Sequence, residues 1–527
     1  MPEYLYPGVY VEEISSGNKP IEGVSTSTVG FLGVPERGPS NYTFLTSFTD
    51  YARMYGKYTV QYQYQPAGPP GTPVKTDNAY LAAAVEGFFQ NGGKRCYVQR
   101  VLPTGSIAAA YTADPLMSVQ AIGEGTWGNR VAIKVEPNTA GTAFRLTAMY
   151  WTTLPPTPIQ DPNSTDITIR RKAVQPQIIE VFDSLVDDPT SSNFYGLQIN
   201  GVSNLITVTR LGTGIPAKHG DVNPAPLAGG SDGSGDMVLL DFEGDPTLLP
   251  GSKRGLDALS YIDDISLLCC PDAYAFDDDS INQALIDQCE ILKDRFAILF
   301  SKRSYTAPGL TSISLNSKYA AFYFPWINVI NPLNNQKVLM PPGGHVAGIY
   351  ARSDNDIGVH KDPANEVILG IDSLQFNMND QQQSQLNPIG INALRFFNGA
   401  GNLVWGGRTT TIDPDWKYIN VRRLFIFVEK STQRSMQWAV FEINDEPLWT
   451  RITRSVDAFL TRLWMDGMLQ GAKKEQAFYV KCDRTTMTQG DIDNGRLICE
   501  IGIAPVKPAE FVIFRIGQWD GGSSVTE

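Results

Sequence analysis

The sequence predicts a multidomain chain of α/β and α+β type, with an inserted β-rich region and a strand-like arm at each terminus. Three observations predict it. From residue 239 strand and helix patterns alternate, the order that builds parallel strands joined by crossover helices. Between 103 and 238 the texture changes to short alternating runs separated by Pro, Thr, Asn and Gly, the mark of antiparallel β structure. At both ends a short apolar run is set off by breakers. With 527 residues the chain exceeds what one core organises, so several domains are expected.

Residues 1–20 read as an arm. Tyr6-Pro7-Gly8 precedes Val9, Tyr10, Val11 and Glu12, and a Ser/Gly/Asn/Pro stretch follows. Residues 21–102 read as the first part of an α/β core. A strand is expected at 29–34. A helix capped by Asp77 or Asn78 is expected to run to Gln90, with Tyr80, Leu81, Ala84, Val85, Phe88 and Phe89 on its apolar face. Asn91-Gly92-Gly93 stops it, and 96–102 reads as a buried strand. The Tyr/Gln/Pro/Gly-rich stretch 57–76 reads as a surface loop. In the β-rich insert, 103–238, strands are expected at 130–135, 143–150, 166–170 and 205–208. An acidic Gly/Ser segment, 229–236, closes it.

The second part of the core, 239–379, follows a strand expected at 237–242. Its own strands are expected at 265–270, 296–300 and 321–329. A helix over 279–294 has Ile281, Leu285, Cys289 and Leu292 in phase. Residues 380–504 form the expected C-terminal α+β domain. It has a helix at 420–432, a strand at 438–443, a long helix from Asn444-Asp445-Glu446-Pro447 to about 469, and a strand at 496–503. Acids and proline at a helix start occupy the turn whose N–H groups have no carbonyl partner. Leu448, Ile452, Val456, Phe459, Leu460 and Leu463 form that helix's buried stripe. A turn at Gly471-Ala472-Lys473-Lys474 follows. Residues 505–527 form the second arm. Pro505 and Pro508 cannot donate to a ladder, so the strand before them stops. Beyond them Phe511, Val512, Ile513 and Phe514 make an apolar strand with no later element to pair it. An unpaired apolar strand invites association. Two readings are open: each arm pairs within its own fold, or is given to a neighbouring copy by strand addition.

Composition narrows the function. The balance is ordinary for a globular protein, 42% hydrophobic and 19% charged. No apolar run approaches the ~20 residues of a membrane span, so no direct membrane insertion is expected. The acidic, proline-broken start lacks the pattern of a secretory signal, and assembly in the bacterial cytoplasm is expected. Net charge is −12, and residues 220–290 carry 15 acidic against 2 basic side chains. With no basic stripe to neutralise phosphates, nucleic acid is not an expected partner. Six cysteines include no C-x-x-C pair, and none lies near one of the three histidines, so buried free thiols are expected and zinc is not.

Three motifs imitate active sites. Gly229-Gly230-Ser231-Asp232-Gly233 matches G-x-S-x-G, but a nucleophile elbow needs a strand before and a helix after it. Gly123-Glu124-Gly125-Thr126-Trp127-Gly128 matches G-x-G-x-x-G, yet a strand pattern follows where a phosphate-binding helix is needed. His345 has acids nearby in sequence but no recognisable serine motif for a triad. Asp277, Asp278 and Asp279 read as a helix-start acid cluster. No cofactor, metal or catalytic residue is assigned. The alternatives kept are a divergent hydrolase using Ser231 or a serine near His345, and a carbohydrate-binding β-protein built on the insert.

The stretches YPGVYVEE and GRLICEIGIAPVKPAEFVIFRIGQ resemble the ends of contractile tail sheath proteins, the family of phage tail sheaths, R-type pyocins and phage-tail-like extracellular injection systems. GVSTSTVGFLGVPERGP, EGFFQNGGKRCYVQRV, PPGGHVAGIYARSD and FEINDEPLWTRI resemble it too, in order along the chain. The resemblance implies a subtilisin-like α/β core without its catalysis, an insert facing outward, and a C-terminal domain facing an inner tube. It implies stacked hexameric rings of this chain that contract and drive the tube through a target membrane. The implied partners are further copies, the inner tube protein, a baseplate and a terminator or cap. Val9–Glu12 and 511–514 are then inter-subunit strands, and Arg462, Lys473 and Lys474 the expected tube contacts.

Overall fold

A computed structural model describes residues 20–57, 80–219, 223–233, 237–249, 251–274, 278–306, 314–332 and 334–516. The chain forms two compact units. The larger comprises 22–359 and 363–434, and the smaller is built mainly from 435 onward. The N-terminal strand expected at Val9–Glu12, the cap at Asp77 or Asn78 and most of the 57–76 loop lie outside the described residues.

The larger unit is organised on a nine-stranded sheet. Its order is Glu366–Val367, Gly401–Trp405, Ile391–Phe397, Ala320–Phe324, Phe296–Phe300, Leu267–Cys269, Val29–Gly33, Cys96–Arg100, Thr43–Leu45. The six strands from Ile391–Phe397 to Cys96–Arg100 are parallel, and antiparallel strands flank them at both edges. VGFLG, FAILF and AAFYF are buried at every position, because helices cover both faces of a parallel sheet. The strand Leu267–Cys269, helix Ser280–Leu292 and strand Phe296–Phe300 make the expected parallel pair, with Leu267 opposite Phe296. Ile281, Leu285 and Cys289 are the buried face of that helix.

Helices Leu81–Gln90 and Gly343–Asp356 approach closely because glycines leave the room. Gly344 lies on the Ala84 backbone, Gly348 on that of Phe88, and Gly87 on the His345 ring. Two buried acids tie the unit together. Asp272 accepts from the amides of Val34 (2.9 Å) and Tyr80 (2.8 Å), and burial pushes its pKa up to about 6. Asp354 forms a two-pronged pair with Arg423 at 2.8 and 2.5 Å, and both side chains are buried. A buried charge survives only with such partners.

The insert has its own core. One antiparallel sheet runs Ala225–Pro226, Val131–Pro137, Phe144–Tyr150, Ile178–Leu185, and another Ala110–Tyr111, Met117–Ala121, Ile206–Arg210. Trp127, Ile133, Phe144, Leu146, Tyr195 and Ile206 pack between them, in a cluster distinct from that of the large sheet.

Several elements differ from expectation. Residues 166–170 are not a strand: Asp166 caps helix Ile167–Lys172 by accepting from the Thr168 amide at 2.7 Å. Its β-branched residues suggested a strand, but the local Asp cap decides. Residues 237–242 give helix Leu239–Glu243, with Asp241 accepting from the Val238 amide at 2.8 Å and Gly244 ending it at φ 92°. The run 321–329 splits at Pro325 into Ala320–Phe324 and Ile327–Ile330. The expected break at 380 falls inside the large sheet's wiring: Ile391–Phe397 returns to pair with Ala320–Phe324, and the compact unit changes only at 435. Residues 438–443 are not a strand either. Gln437–Ala439 is a short 3-10 turn, and Val440, Phe441 and Ile443 stand exposed.

In the smaller unit the helix Glu446–Met465 starts as expected. Asp445 accepts from the Leu448 amide at 3.0 Å and Pro447 sits in the first turn. All six residues of the expected stripe are buried. The helix ends at Met465, four residues early, before Gly467 at φ 78°. Phe478–Lys481 and Glu500–Ile503 then form a two-stranded antiparallel ladder. Only the second half of the expected 496–503 strand joins it.

Candidate functional site: an assembly surface

The two-stranded ladder positions the C-terminal segment. Ala504 donates to the Ala477 carbonyl at 2.8 Å, Gln470 to Ala504 at 2.8 Å, and Val506 to Met468 at 3.3 Å. Past Val506 the chain has no regular structure, through 516. Phe511, Val512, Ile513, Phe514 and Ile516 are 69%, 70%, 77%, 83% and 95% exposed. Among the described residues none pairs with 511–516 in a ladder. Five large apolar side chains in six residues, all in water, form the kind of patch that marks an interface.

The three expected tube contacts differ in their surroundings. Arg462 and Lys473 are exposed. Lys474 is engaged: its Nζ donates to Asp457 at 2.6 Å and sits 5.5 Å from the centre of the Phe478 ring. Sequence reasoning missed one surface feature of this unit. Val440, Phe441 and Ile443 project as an apolar knuckle, with Phe441 wholly exposed at φ 67°. The alternating pattern that suggested a strand was the available signal. Among the described residues no strand pairs with it, and Val440, Phe441 and Ile443 face solvent.

The imitated active sites resolve into packing. The two glycine motifs clasp each other. Thr126 donates its amide and hydroxyl to Asp232 at 2.8 and 2.6 Å. Asn129 and Gly230 exchange hydrogen bonds of 2.8 Å in both directions. Ser231 bridges Ile107 through its backbone, and its Oγ accepts from Gly233 at 3.2 Å. The short 3-10 segment Thr126–Arg130 runs straight into strand Val131–Pro137, so no phosphate-binding helix follows. His345 is buried on helix Gly343–Asp356. Burial pushes its pKa down to about 4, so it is neutral, and among the described residues no hydrogen bond reaches its Nδ1. Asp278 accepts from Ser280, and Asp279 from the Tyr274 hydroxyl at 3.0 Å. Among the described residues no group of three acidic, His or Cys side chains is placed to hold a metal ion. No described helix is long and apolar enough to cross a membrane.

The phage tail sheath protein central domain matches residues 250–410, and the phage tail sheath C-terminal domain matches 411–518, together about half of the chain. The tail sheath protein of Vibrio phage KVP40 is 24% identical over 330 residues, 58% of this chain. The match spans 47% of that relative, less than half its length. In fold, the chain is similar to the sheath of the PVC extracellular contractile injection system in its contracted state. The TM-score is 0.56 with 21% identity, covering 99% of both chains. It is similar also to the contracted helical sheath of the anti-feeding prophage, with TM-score 0.55 and 22% identity over 97% of this chain and 99% of that one. Two adjoining domain matches and a fold shared along nearly the whole chain lead to one assignment: the chain belongs to the phage tail sheath protein family.

Proposed function

We propose that this chain is the structural subunit of a contractile sheath, polymerising as stacked hexameric rings around an inner tube. On triggering, subunits re-pack and shorten the stack, driving the tube through a target membrane. The carrying observation is the segment 511–516, five apolar side chains exposed beyond a firmly held ladder. Strand addition to a neighbour buries them and supplies their backbone partners. Val9, Tyr10, Val11 and Glu12 are the proposed strand beside which a neighbour's Phe511, Val512, Ile513 and Phe514 lie. A lattice linked this way stays connected while its rigid bodies change packing, the two-state device a contractile machine requires.

The core formed by 21–102 and 239–379 takes the subtilisin-like role, supported by its parallel sheet with helices on both faces. The insert 103–238, with its separate core, faces outward. The C-terminal region 380–504 faces the tube, with Arg462 and Lys473 as contacts and Lys474 in a supporting pair. Partners in this reading are further copies, the tube protein, baseplate and terminator proteins. Work comes from contacts between subunits, with no cofactor and no catalysis. Assembly takes place in the bacterial cytoplasm, in a phage tail or tail-like particle.

Negative-stain microscopy of the concentrated purified protein tests this. Helical tubes or ring stacks are the expected result. A folded monomer at every concentration, with and without tube protein, would reject it. Labelling of Ser231 by a covalent serine probe would revive the hydrolase alternative.

A further inference from the structure

The ladder that anchors the C-terminal segment carries two cysteines. Its register runs Phe478–Ile503, Tyr479–Gly502, Val480–Ile501 and Lys481–Glu500. One residue further, the same register sets Cys482 opposite Cys499. The bond from the Ala504 amide to the Ala477 carbonyl makes 477 and 504 a hydrogen-bonded pair. Bonded and non-bonded pairs alternate along an antiparallel ladder, so Cys482 and Cys499 fall at a non-bonded position. There Cα atoms lie ~4.5 Å apart and side chains are closest. A disulfide spans ~4.4–6.8 Å between Cα atoms, so the backbone is already set for one. Both thiols are free in the structure.

We propose that Cys482 and Cys499 are a redox-modification site, an adjacent cross-strand pair that closes into a disulfide by exchange with a small-molecule disulfide. The two thiols differ in a way that orders the steps. Cys482 is buried, whereas Cys499 is partly exposed. A hydrogen bond from Cys482 holds the Cys499 thiol below its ordinary range, and the same contact together with burial pushes Cys482 up. The thiolate is the attacking form, so Cys499 reacts first. Its sulfur attacks one sulfur of the incoming disulfide, forming a mixed disulfide and releasing one small thiol. Cys482 gives up its proton, attacks the Cys499 sulfur and releases the second small thiol. Two protein thiols are oxidised to one disulfide, and one small disulfide is reduced to two thiols. The other four cysteines are buried. For each of them burial pushes the thiol pKa up, which keeps it out of the exchange. The bond would close the loop 483–498, which holds the short helix Gln489–Asp493, and pin the strand leading to Pro505.

The test uses the full-length protein treated with oxidised glutathione, blocked with an alkylating agent and digested with trypsin. Arg484 and Arg496 lie inside the loop, so cutting there leaves two peptides joined only by the new bond. The expected result is one dominant linked pair, Cys482 with Cys499, two thiols lost of six, and a raised melting temperature reversed by reductant. In Cys482→Ser, Cys499 should stop at the glutathione adduct. In Cys499→Ser, Cys482 should stay reduced. A wild-type protein that keeps six free thiols, stops at a stable glutathione adduct, or scrambles its pairing overturns the proposal.

Discussion

Val512→Pro separates a donated C-terminal strand from an internally paired one. Proline removes one backbone N–H and fixes φ near −65°. In the single chain, residue 512 has no ladder partner among the described residues and is 70% exposed. The substitution should therefore leave subunit stability within about 0.5 kcal/mol, as for other surface changes. Internal pairing would instead cost roughly 3 kcal/mol or more, as when proline enters a hydrogen-bonded element. Between subunits the balance is narrow. Burying Phe511, Val512, Ile513, Phe514 and Ile516 contributes about 1.5–3 kcal/mol each, roughly 7–15 in total. Ordering the six backbone residues of 511–516 costs about 1–2 kcal/mol each, roughly 6–12 in total. The link is thus worth a few kcal/mol, and an acceptor left buried and unpaired costs about 1–3. One proline should consume most of the link, and it recurs at every subunit. The assay pairs thermal melting of the isolated subunit with pelleting and microscopy of assembled sheath. Unchanged melting with lost assembly is expected, and truncation after Pro508 should behave alike. A truncated chain that still builds sheaths, or a variant that melts early, refutes the reasoning.

Other outcomes follow from the same geometry. Replacing 103–238 by a short linker should leave a folded, assembling chain, because the ends already meet where the Thr104 hydroxyl donates to Asp241 at 2.9 Å; soluble folded monomer alone would show the insert to be part of the lattice. Arg462→Glu with Lys473→Glu should weaken loading onto the tube in a salt-dependent way, and unchanged loading across salt concentrations would discard the assignment. Lys474→Glu is the poorer probe, since it sets a carboxylate against Asp457. His345 and Asp272 should oppose each other on acidification. The His345 pKa is lowered from 6.5 to about 4, so its stability contribution is lost as pH falls through that window. The Asp272 pKa is raised from 3.8 to about 6, so stability is gained as pH falls through 6. Urea unfolding of His345→Asn should therefore gain on wild type by about 2 kcal/mol between pH 7 and pH 5, and an equal response in both proteins would contradict the buried-neutral histidine.

Much was legible in the residues themselves. The apolar runs at 29–34, 296–300 and 321–329 read as strands, and the structure buries 29–33, 296–300 and 320–324 at every position, since covering both faces of a parallel sheet leaves no polar alternation. Asp445, Pro447 and the stripe from Leu448 to Leu463 set the start and buried face of the long helix, because capping and period are local properties. The apolar 511–514 run beyond two prolines marked a segment that stands exposed in the structure. Only the tertiary structure decided the rest. Whether an alternating run becomes a strand depends on a partner that sequence does not name. Glu500–Ile503 found one in Phe478–Lys481, whereas 438–443 found none and left Phe441 in water. The return of Ile391–Phe397 to Ala320–Phe324 moved the boundary of the larger unit from 380 to 435, a pairing across some seventy residues that leaves no local trace. Lys474 and Lys473 are neighbours of equal charge in the sequence, yet only the fold brings Asp457 to one of them. Cys482 and Cys499 are separated by a loop and a short helix, and the ladder's register alone sets them face to face. Local rules determine what a segment prefers; a hydrogen-bonding edge, a facing charge or a neighbouring thiol is supplied by distant chain, and only folding brings it there.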